Sequence, residues 1–235
     1  MDWPGARQFR QVGAWYGAWM NDMPLLTMNR RFALTAMAAA GVLGTLPAAA
    51  AELPRDTSAT ARQLVRWATE TGDHQGLPFA VIDKPAARIH VFSAQGQWLS
   101  SAPVLLGAAL GDRSAPDIGQ RPLSQIRPEE RTTPAGRFVT EPGRNLRGDD
   151  IVWIDYESAV SLHRVRSVHA AERRQQRLAS RGVSDKRISY GCVNAPEAFY
   201  NQFIAPVFGQ ARGVVYVLPD TEPFAAFFIA ANAYP

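Results

Sequence analysis

Cys192 is the only cysteine among 235 residues, so no internal disulfide can staple this chain and its fold has to rest on a buried apolar core. With 46% apolar residues, the chain can build one domain with a sizeable core. A disulfide-stapled binding module is disfavoured from the outset. A lone cysteine is most often a small buried hydrophobe, but its surroundings here argue otherwise. It sits in Arg187-Ile188-Ser189-Tyr190-Gly191-Cys192-Val193-Asn194, a stretch rich in small and turn-forming residues. Gly191 lets the backbone approach a bound group, and the consecutive amides beside it can face a developing oxyanion. A thiolate is the nucleophile, and it forms where donors or cations lower the thiol pKa.

The N-terminus reads as a leader rather than as fold. Asn29-Arg30-Arg31 is a basic segment, Phe32 to Leu46 an apolar run, and Pro47 with Ala48 to Ala51 a small-residue cleavage site near Ala50 or Ala51. The run is too short and too alanine-rich to be a comfortable span, so no stable membrane span is expected after cleavage. Arg30-Arg31 is only a faint twin-arginine signal. Trp3, Trp15 and Trp19 are foreign to a leader, which makes Met28 an alternative start. Residues 1–51 are therefore set aside, and an exported, periplasmic protein is expected. Those residues hold four arginines and two aspartates, which leaves 21 basic and 19 acidic groups. Such a balance gives no reason to expect nucleic acid as a partner. An odd thiol in an exported chain is either reactive or paired with another molecule.

Ala59 to Thr71 reads as an amphipathic helix capped by Thr57 or Ser58 and ended by Gly72. It belongs to a helical segment over 52–76 that supports the domain. The main domain is expected over 77–220, followed by a tail over 221–235 rich in aromatic residues and alanine. Phe79 to Asp83 and Arg88 to Ser93 form a hairpin signal around Lys84-Pro85-Ala86-Ala87, and a turn at Gln95-Gly96-Gln97 leads into Trp98 to Leu106. Such patterning implies a mostly antiparallel sheet. Gly111 to Arg131 is a long loop without periodicity, either a lid over the cysteine or a surface excursion.

Phe138-Val139 begins another strand, Gly143 to Asp150 is a polar turn, and Ile151 to Ile154 and Ala159 to Val165 are strands joined at Tyr156-Glu157-Ser158. In the second of these, Val160 and Leu162 point one way and Ser161, His163 and Val165 the other. Ala170 to Arg181 reads as a charged helix with a solvated face. Pro196 suits the first turn of a helix through Tyr200 and Phe203, and Val214 to Leu218 is a buried strand.

A cysteine nucleophile needs an imidazole within reach and something to orient it. All four histidines precede Cys192. His90 lies mid-strand on the face of Phe92 and reads as structural, and nothing near His74 suggests a ligand set. His163 and His169 remain, 29 and 23 residues before the cysteine. As part of a helix, His169 shares a face with Arg173, Gln176 and Ser180, a solvent face by spacing. His163 ends a strand on the face opposite a core pair, and this placement favours it as general base. Four scattered histidines without a second cysteine make no zinc site, and no cofactor is implied.

Ser189-Tyr190-Gly191-Cys192-Val193-Asn194 resembles the signature Ser/Thr-His-Gly-Cys-apolar-Arg/Asn of the L,D-transpeptidase (YkuD-type) catalytic domain. The resemblance extends to Thr133-Pro134-Ala135-Gly136-Arg137-Phe138, which looks like the family's Thr-Pro-x-Gly-x-Phe segment, and covers roughly Leu77 to Pro219. It implies a mainly β, α+β fold: a YkuD-like antiparallel β-sandwich or open barrel with a few flanking helices. The helix at 170–181 would be an insertion between histidine and cysteine. The family also places its histidine first, whereas papain-like peptidases place it after the cysteine.

By the same resemblance, a backbone carbonyl near Arg164 orients the imidazole, the amides of Tyr190, Gly191 and Cys192 form an oxyanion hole, and Ser189 lies against the site. The implied reaction is acyl transfer on peptidoglycan stem peptides. Cys192 attacks the carbonyl of the third-residue diamino acid and expels the terminal D-alanine. The thioester then passes to an amine (a second stem peptide, a D-amino acid or a protein lysine) or to water. Three positions depart from the pattern: Tyr190 replaces a frequent His, Arg164 a Gly, and Asn194 a frequent Arg. An amide cannot hold a carboxylate bidentately, so Arg187 or Arg164 is expected to supply that charge beside Asn194. An L,D-carboxypeptidase-type hydrolase and a non-catalytic wall-binding protein are the competing readings.

Overall fold

The runs Phe79–Asp83 and Val214–Val217 are buried residue by residue, so the sheet they build must be covered on both faces. The computed structural model describes residues 53–167 and 169–234; the leader expected over 1–51 lies outside them. The chain begins with helix α1 (Ala59–Thr71) and strands β1 (Phe79–Asp83), β2 (Arg88–Phe92), β3 (Trp98–Pro103) and β4 (Leu106–Gly107). Strands β5 (Gly136–Val139), β6 (Glu141–Arg144), β7 (Asp150–Asp155) and β8 (Val160–Arg164) follow. Next come helix α2 (Arg174–Ala179), strands β9 (Arg187–Ser189) and β10 (Val193–Ala195), and helices α3 (Glu197–Phe199) and α4 (Ala205–Phe208). Strand β11 (Val214–Val217) and helix α5 (Ile229–Asn232) close the series.

A five-stranded sheet runs β3-β2-β1-β11-β5, a four-stranded sheet β10-β8-β7-β6, and β4 pairs with β9. Ile82, Ile89, Val91, Val215 and Val217 of the first sheet face Val152, Val160, Leu162 and Val193 of the second across one core, with Tyr200, Ile204 and Phe208 filling it. The first sheet's other face carries Phe79, Val81, Phe92, Val214 and Tyr216, covered by Leu64 and Ala68 of α1 and by Phe228 and Ala231. The Phe79 and Phe92 rings stack at 4.5 Å. The segment ahead of residue 77 and the tail after residue 220 thus cover the same face, and Gln63 Nε2 donates to the Ala231 carbonyl at 3.1 Å. No helix among the described residues is long and apolar enough to cross a membrane.

The fold is mainly β with flanking helices, as the strand patterning implies, but its sheets are mixed. Strands β1 and β11, β8 and β10, and β4 and β9 pair in parallel. Short-range alternation reveals hairpins, whereas parallel pairs join strands far apart in the chain through long crossovers that leave no local pattern.

The helix expected over 170–181 is broken. A 3-10 turn at Ala170–Glu172 is followed by Arg173 in the left-handed region (φ 51), and only Arg174–Ala179 is α-helical. This short piece buries Leu178 against Leu105 and Val165. Ser58 caps α1 by accepting from the Ala61 amide at 3.1 Å, and Gly72 closes it at φ 69. The loop over 111–131 contains three 3-10 turns and buries Ile118 and Ile126. Its Gly119 lies so close to the β7–β8 turn that an added Cβ would sit 2.2 Å from the Glu157 carbonyl oxygen.

Candidate active site

Parallel pairing of β8 with β10 sets Asn194 beside His163 and Val193 beside Leu162. Leu162 and Val193 enter the core, so His163 and Asn194 share the opposite face. Cys192 immediately precedes β10 and is half-buried. Its sulfur lies 3.6 Å from Ser161 Oγ, two residues before His163 on the same strand, and 3.7 Å from the Ala159 carbonyl. Sequence reading placed Ser161 on the histidine's face without assigning it a role.

His163 Nδ1 is 2.7 Å from the Arg164 carbonyl oxygen. A carbonyl can only accept, so Nδ1 carries a proton and Nε2 is the ring nitrogen left for another partner. Burial pushes the Cys192 thiol up. The neighbouring His163 imidazole and the Ser161 amide and hydroxyl outweigh that effect and hold it below the ordinary thiol range. His169 is exposed, close to Glu172.

The loop around the sulfur is held by side chains from several directions. Gly191 has φ 134, and a Cβ there would lie 2.7 Å from the Thr132 carbonyl oxygen, so both conformation and space require glycine. Thr133 Oγ1 donates to the Gly191 carbonyl at 2.8 Å and accepts from the Gly107 amide at 2.9 Å. Ser189 Oγ donates to the Cys192 carbonyl at 2.6 Å and accepts the Gly191 amide at 3.1 Å. By that last contact the Gly191 N–H, expected in the oxyanion hole, is engaged within the loop. The amides of Tyr190 and Cys192 carry no partner among the described residues. Tyr190 is 37% exposed, and the Arg131 guanidinium lies over its ring at 4.2 Å.

Both arginines expected to supply a substrate-binding charge already pair with carboxylates of this chain. Arg187 is 8% exposed, with Nη2 2.6 Å from Asp220 Oδ1 and 3.1 Å from the Lys84 carbonyl. It joins a buried cluster in which Lys84 Nζ lies 2.7 Å from Asp112 Oδ1, and this cluster anchors the start of β9. Arg164 pairs with Asp150 at 2.8 Å, donates to Asn201 at 2.7 Å and covers the Tyr200 ring. The arginine that does reach Asn194 is Arg174: its Nη1 donates to Asn194 Oδ1 at 2.6 Å. Nothing in the local pattern of that arginine-rich run separates it from its neighbours.

Solved L,D-transpeptidases are among the structures this chain resembles. One, solved in complex with imipenem, shares 19% identity over 60% of this chain and 58% of its own, with a TM-score of 0.34. An L,D-transpeptidase from Mycobacterium smegmatis shares 16% over 60% and 58%, with a TM-score of 0.32. The catalytic domain of the E. faecium L,D-transpeptidase shares 18% over 62% of this chain and 99% of its own, with a TM-score of 0.31. The chain thus spans less than two thirds of the first two proteins. No family model matches it, and no curated protein does.

Proposed function

We propose that this chain is an exported cysteine acyltransferase that acts on peptidoglycan stem peptides through a thioester on Cys192. The observation that carries the reading is the contact of His163 Nδ1 with the Arg164 carbonyl at 2.7 Å, which orients the ring and leaves Nε2 as the nitrogen to serve the thiol. The substrate class rests on the sequence resemblance of Ser189 to Asn194 and of Thr133 to Phe138.

In the first step Nε2 takes the thiol proton, and the thiolate attacks the carbonyl carbon of the third stem residue. Ser161 donates to the sulfur while it is charged. The amides of Tyr190 and Cys192, which have no other partner, receive the oxyanion. As the tetrahedral adduct collapses, the C–N bond to the terminal D-alanine breaks and the imidazolium returns its proton to the leaving amine. In the second step Nε2 takes a proton from the incoming amine, which attacks the thioester, and the thiolate is expelled. With water as acceptor the same machinery hydrolyses.

A carbapenem such as imipenem tests the reading, because its strained lactam carbonyl acylates an activated thiol with no group lost. The expected result is one adduct of the full drug mass on the folded chain, absent from Cys192→Ala. A chain alkylated only at the rate of a free thiol, with no drug adduct, would point instead to a wall-binding scaffold. Digested wall that yields trimmed tripeptides without new cross-links would point to the hydrolase.

A further inference from the structure

We propose that Arg174, carried by the excursion between His163 and Cys192, is a positioning residue that sets the nucleophile through Asn194. The inference rests on the acyl-transfer reading above and adds to it a residue outside the cysteine motif. Arg174 is 14% exposed, donates from Nε to Glu172 at 2.6 Å and from Nη1 to Asn194 Oδ1 at 2.6 Å. Asn194 is fully buried, and its Nδ2 donates to the Cys192 carbonyl at 3.1 Å. Its own main chain is paired in both directions with Leu105 at 2.9 Å.

The chemistry of a carboxamide gives this chain of contacts its meaning. An asparagine has one acceptor end and one donor end, and only one orientation presents the donor to Cys192. Reversed, Oδ1 would face the Cys192 carbonyl oxygen, acceptor against acceptor, in a buried site. A guanidinium has donors only, so Arg174 accepts one orientation and rejects the other. Arg174 therefore selects the rotamer in which Asn194 holds the nucleophile's carbonyl.

That carbonyl already receives Ser189 Oγ, while the peptide before Cys192 is held at the Gly191 carbonyl by Thr133. Two fixed peptide planes flank the nucleophile and aim its Cα–Cβ bond. The plane held by Thr133 also carries the Cys192 N–H assigned to the oxyanion. Loss of Arg174 frees one end of this clamp, next to His163 in strand register.

The test compares Arg174→Met, Arg174→Lys, Asn194→Asp and the wild type, each first shown to unfold cooperatively. Two readouts are used: single-turnover acylation by imipenem, and the pH profile of alkylation by iodoacetamide. Arg174→Met should lower the acylation rate constant about tenfold or more with half-saturation unchanged, since a small misplacement of the attacking atom is costly. Its alkylation midpoint should move up toward that of an ordinary thiol. Arg174→Lys, which still donates to Oδ1, should recover much of the loss. Asn194→Asp should pair with Arg174 yet remain slow, because a carboxylate cannot donate to the Cys192 carbonyl.

Wild-type behaviour of Arg174→Met in both readouts would overturn the proposal, as would an Arg174→Lys no better than Met or a fully active Asn194→Asp. Failure of the underlying reading has a different signature, a wild type that forms no imipenem adduct. The alkylation profiles of the variants still decide the role of Arg174 in that case.

Discussion

Thr133 Oγ1 donates to the Gly191 carbonyl across 58 residues of sequence, and the same oxygen accepts the Gly107 amide. One buried hydroxyl therefore joins the Thr133-Pro134 segment, the β4 strand and the cysteine loop. Thr133→Val keeps shape and size but leaves a buried N–H and a buried C=O without this partner. The expected cost is about 2–3 kcal/mol of stability, read by denaturant unfolding. Acylation of Cys192 should slow at the same time, because the peptide ahead of that residue is released. A Thr133→Val protein as stable and as readily acylated as the wild type would remove this residue from the site's support.

Alternation along Val160 to Val165 was enough to set Val160 and Leu162 in the core and leave His163 on the opposite face. The uninterrupted apolar run from Val214 was enough to mark a strand covered on both sides. What alternation could not supply was everything decided by tertiary pairing. Strands β8 and β10 meet in parallel only because a 28-residue excursion separates them, and that meeting is what sets Asn194 beside His163. Arg174 turns inward because Arg173 takes a left-handed conformation and breaks the expected helix. Arg187 and Arg164 pair with Asp220 and Asp150, carboxylates distant in sequence. The Gly191 amide is occupied by a hydroxyl two residues back, a local contact that residue types alone do not dictate.

His163 and His169 are separated by an experiment on the thiol itself. His163 counters burial and holds the Cys192 thiol below its ordinary range, so removing the imidazole should raise the pH at which alkylation reaches half its limiting rate. His163→Gln is expected to show this upward shift together with loss of acylation. His169→Gln should leave both unchanged, since that residue is exposed beside Glu172. A lowered midpoint that survives His163→Gln would assign the thiol's activation to another group.

Gly191→Ala tests the shape of the loop rather than its chemistry. A methyl group there meets the Thr132 carbonyl oxygen at 2.7 Å, and alanine resists a φ of 134. The loop must shift, carrying with it the thiol and the amide of Cys192. Acylation should fall about a hundredfold, while the core strands unfold at a temperature only a few degrees lower, on the order expected for ~1–3 kcal/mol. A variant acylated within threefold of the wild type would show that the loop tolerates another path.

His90, remote from the cysteine, should govern how stability responds to mild acid. It is wholly buried, 2.7 Å from Ser101 Oγ through Nδ1, and its Nε2 has no partner among the described residues. Burial is the main cause that lowers its pKa from 6.5 to about 4; Asp83 and Asp56 oppose the shift, and Arg88 and Arg62 add to it. The unfolded chain takes up a proton near pH 6.5 that the folded chain refuses until about pH 4. Folded stability is therefore complete above pH 6.5 and falls as pH drops through that window, by ~3 kcal/mol in all. Asp112 acts in a different range. Burial raises its carboxyl, but Lys84, the amides of Asp220 and Glu222 and the Thr221 hydroxyl hold it well below 3.8, so its contribution is lost only in stronger acid. His90→Gln retains a partner for Ser101 and removes the titration. Its unfolding free energy should be nearly flat between pH 6.5 and 4.5 while the wild type declines, and parallel declines in the two proteins would show that other groups carry the acid response.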